Sequence, residues 1–473
     1  MPNTKIVATL GPASDGLPVL HKLLDAGVDV FRLNASHGPI ELHVERIGKV
    51  RGLAAERGQE VAIFLDLQGP KIRLGRFEGG GCLLETGAEF TITVENVPGT
   101  CQRASTSYTS FAKDVRPGDR VLLADGAVEL RAIESDGVEV RCEVVRGGPI
   151  SDNKGINLPG ARITSPSITS KDLADLEAGI EAGIDMVALS FVRTAQDVCE
   201  LRTRLAGREI PIIAKIEKPQ AWENIDSILD EADGVMVARG DLGVEMALEK
   251  VPPIQKSIIR RARLRGKFAI TATQMLESMV ENATPTRAEV SDVANAIYDG
   301  TDAVMLSAET SIGRFPVEAA EIMGRIAQEA EHSIRARGFR EPPRNPSPTH
   351  AEIVADAAYR AAREAGVAAI VVFTASGSSA RLISRFRPPV QIHAITPSHA
   401  VARRLAIQYA VNPICMPEVR STDEMIALVD RLMVEKHAVS HGQSVVMVGG
   451  QPIGRPGTTN FMNLHRIGDL RDH

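Results

Sequence analysis

Cysteine is scarce in this chain: five residues among 473, at Cys82, Cys101, Cys142, Cys199 and Cys415. None stands in a Cys-x-x-Cys spacing, so neither a zinc site nor a disulfide framework is indicated, and a reducing cytoplasm suits that usage. No apolar run approaches membrane-spanning length, and no cationic segment followed by an apolar core opens the chain, so a soluble, unprocessed protein is expected. Basic charge is also short. Lys and Arg total 54 against 60 Asp and Glu, a net charge of −6, which argues against nucleic-acid and membrane-surface roles because neither has the field it needs. The one basic cluster (Arg260, Arg261, Arg263, Arg265, Lys267) ends an amphipathic helix, where cations suit the dipole, and reads as a solvated face. A Gly-x-x-x-x-Gly-Lys loop is missing too, so any nucleotide must be held differently from a P-loop enzyme.

What the chain does have is a set of eight short apolar runs: Ile6 to Leu10, Val28 to Asn34, Val61 to Leu67, Asp185 to Ser190, Pro211 to Lys215, Gly234 to Ala238, Phe268 to Thr273 and Asp302 to Ser307. They lack strict alternation, as strands buried on both faces of a parallel sheet do, and helical stretches generally fill the gaps. Eight strand-then-helix units predict a (β/α)8 barrel, whose chemistry sits at the C-terminal strand ends. Those ends gather Arg32, Asn34, Ser36, His37, Asp66, Lys71, Lys215, Glu217, Arg239, Gly240, Asp241 and Thr273 on one rim.

The chain is too long for one core. Residues 70–160 interrupt the barrel with short alternating runs (Glu89 to Val94, Arg120 to Leu123, Gly137 to Val144) and turn signals at Pro117-Gly118 and Asp136-Gly137, which predict an inserted small β-barrel over the rim. Its connections, Gln68-Gly69-Pro70 and Leu158-Pro159-Gly160, are candidate hinges for a lid. The barrel is therefore assigned to 1–69 and 161–340. A proline-rich linker, Glu341 to Pro348, leads to a doubly wound α/β domain at 346–473 with helices at His350 to Ala365, Ala400 to Ala410 and Glu424 to Lys436 and strands at Ala368 to Phe373, Gln391 to Ile395 and Ser444 to Val448. Ser421-Thr422-Asp423-Glu424 reads as a capping box.

On the rim, Glu217 and Asp241 offer two hard oxygen ligands with open positions, which suits Mg²⁺. A buried salt-bridge network is the plain alternative for each residue, weakened by the convergence of Arg32, Asp66, Lys215, Glu217, Asp241 and Thr273. The cation surplus of Arg32, Lys71, Arg73 and Lys215 points to a substrate with several negative charges; phosphoryl transfer needs such positioning and neutralisation. In the C-terminal domain, Thr374, Ser376, Gly377, Ser378 and Ser379 follow a strand and open a helix, a candidate phosphate cradle whose alternative is ordinary capping. The loop Gly449 to Gly457, with Arg455, would face it.

The chain resembles the pyruvate kinase family. The resemblance rests on Thr4 to Ser14, Arg32 to His37, Ala214-Lys215-Ile216-Glu217, Met236 to Gly243, Ala272 to Met279, Pro285 to Val290 and Ser307 to Thr310, and it spans the chain. It implies a cytoplasmic, homotetrameric glycolytic enzyme that moves the phosphoryl group of phosphoenolpyruvate to ADP, giving ATP and pyruvate, with Mg²⁺ (or Mn²⁺) on Glu217 and Asp241. It places Lys215 at the transferring phosphoryl group, Arg32 at the substrate phosphate, Gly240, Asp241 and Thr273 around the enolpyruvate, and Asn34, His37, Arg73 and Lys154 at the nucleotide. A phosphorylated allosteric effector would occupy the C-terminal cradle. The chain departs from the family at a K⁺ site: many members read Asp-Thr-Lys-Gly-Pro-Glu where this one has Asp66-Leu67-Gln68-Gly69-Pro70-Lys71, with Asn34, Ser36 and Asp66 retained. A tethered ammonium replaces a carboxylate, so activity without K⁺ is expected. A Mg²⁺-dependent lyase or aldolase would have no use for the inserted domain and Lys154, and a non-catalytic sensor would not need Lys215, Glu217, Asp241 and Thr273 together.

Overall fold

All eight apolar runs form strands, and the strands close on themselves. In the computed structural model, which describes residues 2–161, 163–164, 166–336, 347–453 and 457–469, the strands Lys5–Thr9, Val30–Asn34, Ala62–Asp66, Met186–Leu189, Ile212–Ile216, Gly234–Ala238, Phe268–Ala272 and Ala303–Leu306 make one closed barrel. Every pairing is parallel. Burial on both faces explains the unbroken apolar runs, because alternate residues serve two different cores. Outward Ile63 and Leu65 pack under the helices. Inward Val7, Val30, Ala62, Phe64, Met186, Ala188, Ile213, Met236 and Ile270 fill the barrel. Continuing that inward period of two past the apolar layers reaches Arg32, Asp66, Ser190, Lys215 and Glu217, so the uppermost layer of the barrel interior is polar.

Residues between the third and fourth barrel strands build a six-stranded and a two-stranded sheet around one apolar core that includes Phe90, Phe111, Leu123 and Val140. The predicted runs appear as Glu89–Thr93, Arg120–Leu123 and Glu139–Arg146. Just beyond the candidate hinges, the segments that enter and leave the insertion pair with each other: Leu74 N donates to Lys154 O at 2.8 Å and Ile156 N to Ile72 O at 2.9 Å. Gly69, at φ +66, turns the chain into the insertion with no room for a side chain, since a Cβ there would lie 2.8 Å from Phe191.

The C-terminal domain is a five-stranded sheet in the order Val411–Cys415, Ile392–Thr396, Ala369–Phe373, Ser444–Gly449, Phe461–Arg466. Its first four strands are parallel and the last is antiparallel. The helix expected to Ala410 ends at Leu405; Ala410 has a left-handed backbone, φ +60, and immediately precedes the unpredicted edge strand. Ser421 caps its helix by accepting from Glu424 N at 3.2 Å, while the Glu424 carboxylate accepts from Arg420 N at 2.7 Å, so half of the expected box forms. Ala406 and Ile407 plug the bottom of the barrel. The basic cluster is only partly a solvated face. Arg261 and Arg265 pair with Asp226 at 2.7 and 3.0 Å, but Arg263 is drawn inward, donates to Arg385 O of the C-terminal domain at 3.3 Å, and its guanidinium is pushed down to about 10 by burial. Among the described residues no helix is long and apolar enough to cross a membrane. Most of the proline-rich linker, and Arg455, lie outside the described residues.

Candidate active site

The polar top layer of the barrel is a chain of charge-assisted contacts. Arg32 Nε donates to Asp66 Oδ2 at 2.8 Å, and its Nη1 donates to Thr9 Oγ1 at 3.2 Å. Asp66 Oδ1 lies 3.2 Å from Lys215 Nζ. Lys215 also reaches Glu217 Oε1 at 2.8 Å and donates to Ser190 Oγ at 2.8 Å. All four charged groups are buried, Asp66 and Glu217 to 1% exposure. The register is what brings them together: Asn34 pairs with Asp66, and Asp66 with Ala188 two residues before Ser190.

The electrostatics follow from that geometry. Burial alone would raise the Asp66 carboxyl, but Lys215 and Arg32 outweigh it and hold it below the ordinary carboxylate range. Burial alone would lower Lys215, but Asp66 and Glu217 push its ammonium well above the ordinary lysine value. Lys215 is therefore a fixed cation at neutral pH. Glu217 is raised, by burial and by the charge of Asp241, against the pull of Lys215. Its second oxygen accepts from Phe191 N at 2.9 Å, and Phe191 takes the left-handed backbone, φ +55, that presents this N–H.

Asp241 lies in the first turn of helix Arg239–Glu245 and has no hydrogen bond or ion pair among the described residues. Two carboxylates that repel each other, one with a free oxygen pair, form a donor set that fits a hard divalent cation. Beside them, Gly240 N donates to Thr273 Oγ1 at 2.8 Å, which fixes that hydroxyl. Thr273 and Gln274 have φ +68 and +53, and the Arg239 guanidinium holds this turn by donating to Thr273 O at 2.7 Å and Gln274 O at 3.2 Å. Arg239, on the rim by sequence, is thus a brace paired with Asp292 at 2.5 Å.

The expected nucleotide residues fall into two places. Asn34 accepts from Ser36 N at 3.1 Å, shaping the loop that exposes His37. The His37 imidazole is kept neutral by partial burial and by the charges of Lys71, Arg32 and Arg73. Arg73 and Lys154 stand on the paired connecting segments, Arg73 donating to Asn153 O at 3.0 Å and Lys154 exposed. Of the residues expected at an altered cation site, Leu67 points into the outer core, and its carbonyl accepts from Ser190 Oγ at 2.7 Å. Lys71 is exposed, forms no ion pair among the described residues, and lines the cleft between the inserted domain and the rim together with Asp125, Asn157, Phe191, Lys218 and Asp241. Asp66 takes its positive partners from Arg32 and Lys215.

Several groups were not singled out from sequence. Ser190 was legible as the end of the fourth run. Lys218 was not: its ammonium is buried against Glu245 at 2.5 Å, and the same Glu245 oxygen accepts from Asn157 Nδ2 of the insertion at 3.0 Å. This contact ties the inserted domain to the rim.

The family model described as the pyruvate kinase barrel domain matches residues 1–320, and that described as the pyruvate kinase alpha/beta domain matches residues 352–465. The chain belongs to the pyruvate kinase family. A pyruvate kinase of Geobacillus stearothermophilus is 44% identical over 473 residues, covering 99% of this chain and 81% of that protein. One of Mycobacterium tuberculosis is 45% identical over 469 residues, covering 98% of each. A crystal structure of a pyruvate kinase from Cryptosporidium parvum superposes with a TM-score of 0.90 at 35% identity, over 98% of this chain and 96% of that one. Pyruvate kinases are phosphotransferases, and the polar top layer described above is this family member's candidate active site.

In the C-terminal domain the expected cradle lines a cavity with Thr396, Glu418, Gly450 and Thr458. Thr374 Oγ1 accepts from Gly377 N at 2.9 Å, Gly377 caps the helix Ser378–Ser384 at φ +81, and Ser379 bonds Thr459 at 2.6 Å. Ser376 is exposed and Ser378 half-buried.

Proposed function

We propose that this rim transfers the phosphoryl group of phosphoenolpyruvate to ADP and that the resulting enolate is then protonated to pyruvate. The observation that carries this reading is the Lys215 ammonium at the top of the barrel, held between Asp66 at 3.2 Å and Glu217 at 2.8 Å, beside a carboxylate pair with one member unpaired among the described residues. Phosphoryl transfer asks for fixed positive charge around the moving group, and Lys215 and Arg32 supply it without reorganising. Bound on Glu217 and Asp241, Mg²⁺ or Mn²⁺ would add Lewis-acid neutralisation of phosphate oxygens. Thr273, held by Gly240, faces the enolpyruvate end; Asn34, His37, Arg73 and Lys154 face the nucleotide across the cleft. A neutral His37 can accept or donate a hydrogen bond there without adding charge.

Lys71 contributes its ammonium to the same cleft, which supports turnover without K⁺. Ser376 and Ser378, whose hydroxyls bond only to each other at 3.2 Å among the described residues and remain open to solvent, support binding of a phosphorylated effector in the C-terminal cavity. The family resemblance also supports the readings of a cytoplasmic homotetramer and of domain divisions at 69/70, 160/161 and 340/346. The test is a coupled assay of pyruvate formation from phosphoenolpyruvate and ADP, with Mg²⁺ present or chelated. Turnover that survives Asp241→Ala within tenfold of wild type would overturn the metal assignment, and absence of any pyruvate formation the whole reading.

A further inference from the structure

Away from the rim, the bottom of the barrel meets the C-terminal domain through polar contacts such as Arg387 to Asp302 at 2.9 Å and Arg403 to Asp185 at 2.7 Å. One group in this junction has no part in the reaction. Glu60 stands just before the third barrel strand, His399 opens the helix His399–Leu405, and Cys415 ends the strand Val411–Cys415. His399 Nδ1 lies 2.6 Å from Glu60 Oε1, and the imidazole nitrogen, the thiol sulfur and a carboxylate oxygen all lie within 4.8 Å of one another. We propose that Glu60, His399 and Cys415 form a binding site for a borderline-soft divalent transition metal, Zn²⁺ foremost, that joins the barrel to the C-terminal domain and leaves a fourth position to water.

The donor set decides the metal. Thiolate, imidazole and carboxylate together suit Zn²⁺ or Co²⁺, while Mg²⁺ has little affinity for sulfur or nitrogen, so the site is chemically separate from the rim carboxylates. Metal–ligand bonds of about 2.0–2.3 Å need the three donors to draw slightly closer and the Glu60–His399 contact to open slightly. His399, with a side chain 70% exposed, has the freedom to adjust. One thiolate and one carboxylate balance the charge of the ion. Burial and the Glu60 charge hold the Cys415 thiol up, and Arg403 opposes them; binding therefore displaces a proton from sulfur, and affinity should rise with pH. A zinc site assembled from three elements of two domains leaves no Cys-x-x-Cys spacing, which is why the sequence shows none.

The experiment titrates the full-length protein with Co²⁺ in excess Mg²⁺ and follows the thiolate-to-cobalt charge-transfer band in the near ultraviolet. One equivalent should bind, be displaced by Zn²⁺, and raise the thermal unfolding midpoint. Cys415→Ser should abolish the band, and His399→Ala and Glu60→Gln should each weaken binding by about tenfold or more, the lower edge of what even an outer-shell partner contributes. Far-ultraviolet circular dichroism and a cooperative thermal transition check that each variant is folded, and His399→Ala alters only an exposed side chain should Cys415→Ser fail that check. Absence of the band, a band that survives Cys415→Ser and is lost instead with Cys82→Ser or Cys101→Ser, or unchanged affinity in His399→Ala would overturn the proposal, leaving a simple His–Glu pair. None of these outcomes depends on which reaction the rim performs.

Discussion

Replacing Lys215 by Met removes the cation from the centre of the top layer while nearly keeping its length and packing. Lys215 Nζ stands 2.8 Å from Glu217 and 3.2 Å from Asp66, and a transferring phosphoryl oxygen would approach it at a similar distance. At an effective dielectric near 20, unit charges about 3 Å apart interact by roughly 5 kcal/mol, and at about 1.4 kcal/mol per decade that corresponds to a rate loss of about a thousandfold or more. Asp66 stays paired with Arg32, so the variant should fold, with a lowered unfolding midpoint as the stability check. The proton step should behave differently. Burial disfavours the Lys215 ammonium, yet Asp66 and Glu217 raise it far above neutrality, so it holds its proton and is a poor acid–base group. Lys215→Met should therefore fail to make pyruvate from phosphoenolpyruvate and ADP, yet still exchange the methyl protons of pyruvate with solvent in the presence of Mg²⁺. Loss of both reactions in a folded variant would refute the argument and make Lys215 the proton carrier.

Wild type should turn over in K⁺-free buffer, and Lys71→Glu should depress that rate and restore partial dependence on K⁺; strong K⁺ stimulation of wild type at constant ionic strength would exclude an internal cation. Ser378→Asp should place a negative charge in the cradle and blunt activation by sugar phosphates or AMP at subsaturating substrate while leaving the saturated rate nearly intact, and a normal response to every such effector would reduce the cradle to a helix cap. His393, buried and pushed down to about 4 from 6.5 by burial and by the charges of Lys436 and Lys5, binds its proton more weakly folded than unfolded. Its contribution is complete above pH 6.5 and is lost as pH falls toward 4, at up to about 1.4 kcal/mol per pH unit. Denaturant titrations above and below pH 6.5 should show that acid loss shrinking in His393→Gln, and an identical slope in the variant would rule it out.

The barrel was legible because two-sided burial leaves a mark in sequence that needs no partner to read. Strands lacking it were missed, Val128–Ser135 and shorter ones in the insertion and both edges of the C-terminal sheet: Val411–Cys415 contains Asn412 and Pro413, which an edge strand tolerates because it need not donate on its open side, and Phe461–Arg466 is the other edge, with exposed Met462 and Leu464. Site residues at strand ends, such as Arg32, Asp66, Lys215 and Glu217, were legible for the same reason as the strands, since the inward period of two carries straight into the top layer. Contacts between loops were not. The Lys218–Glu245–Asn157 contact links residues 27 and 88 positions apart, and no local pattern encodes it. Lys71 shows the intermediate case. Five residues after Asp66, it reads as that carboxylate's own counter-ion, but the turn at Gly69 carries the chain out of the barrel, and Arg32 and Lys215 already satisfy Asp66. Its ammonium instead faces the cleft lined by Asp241 and bears on His37. An internal cation there would act on the phosphates of the substrates rather than on Asp66, so Lys71→Glu should raise the Michaelis constant for ADP more than it changes the stability of the barrel.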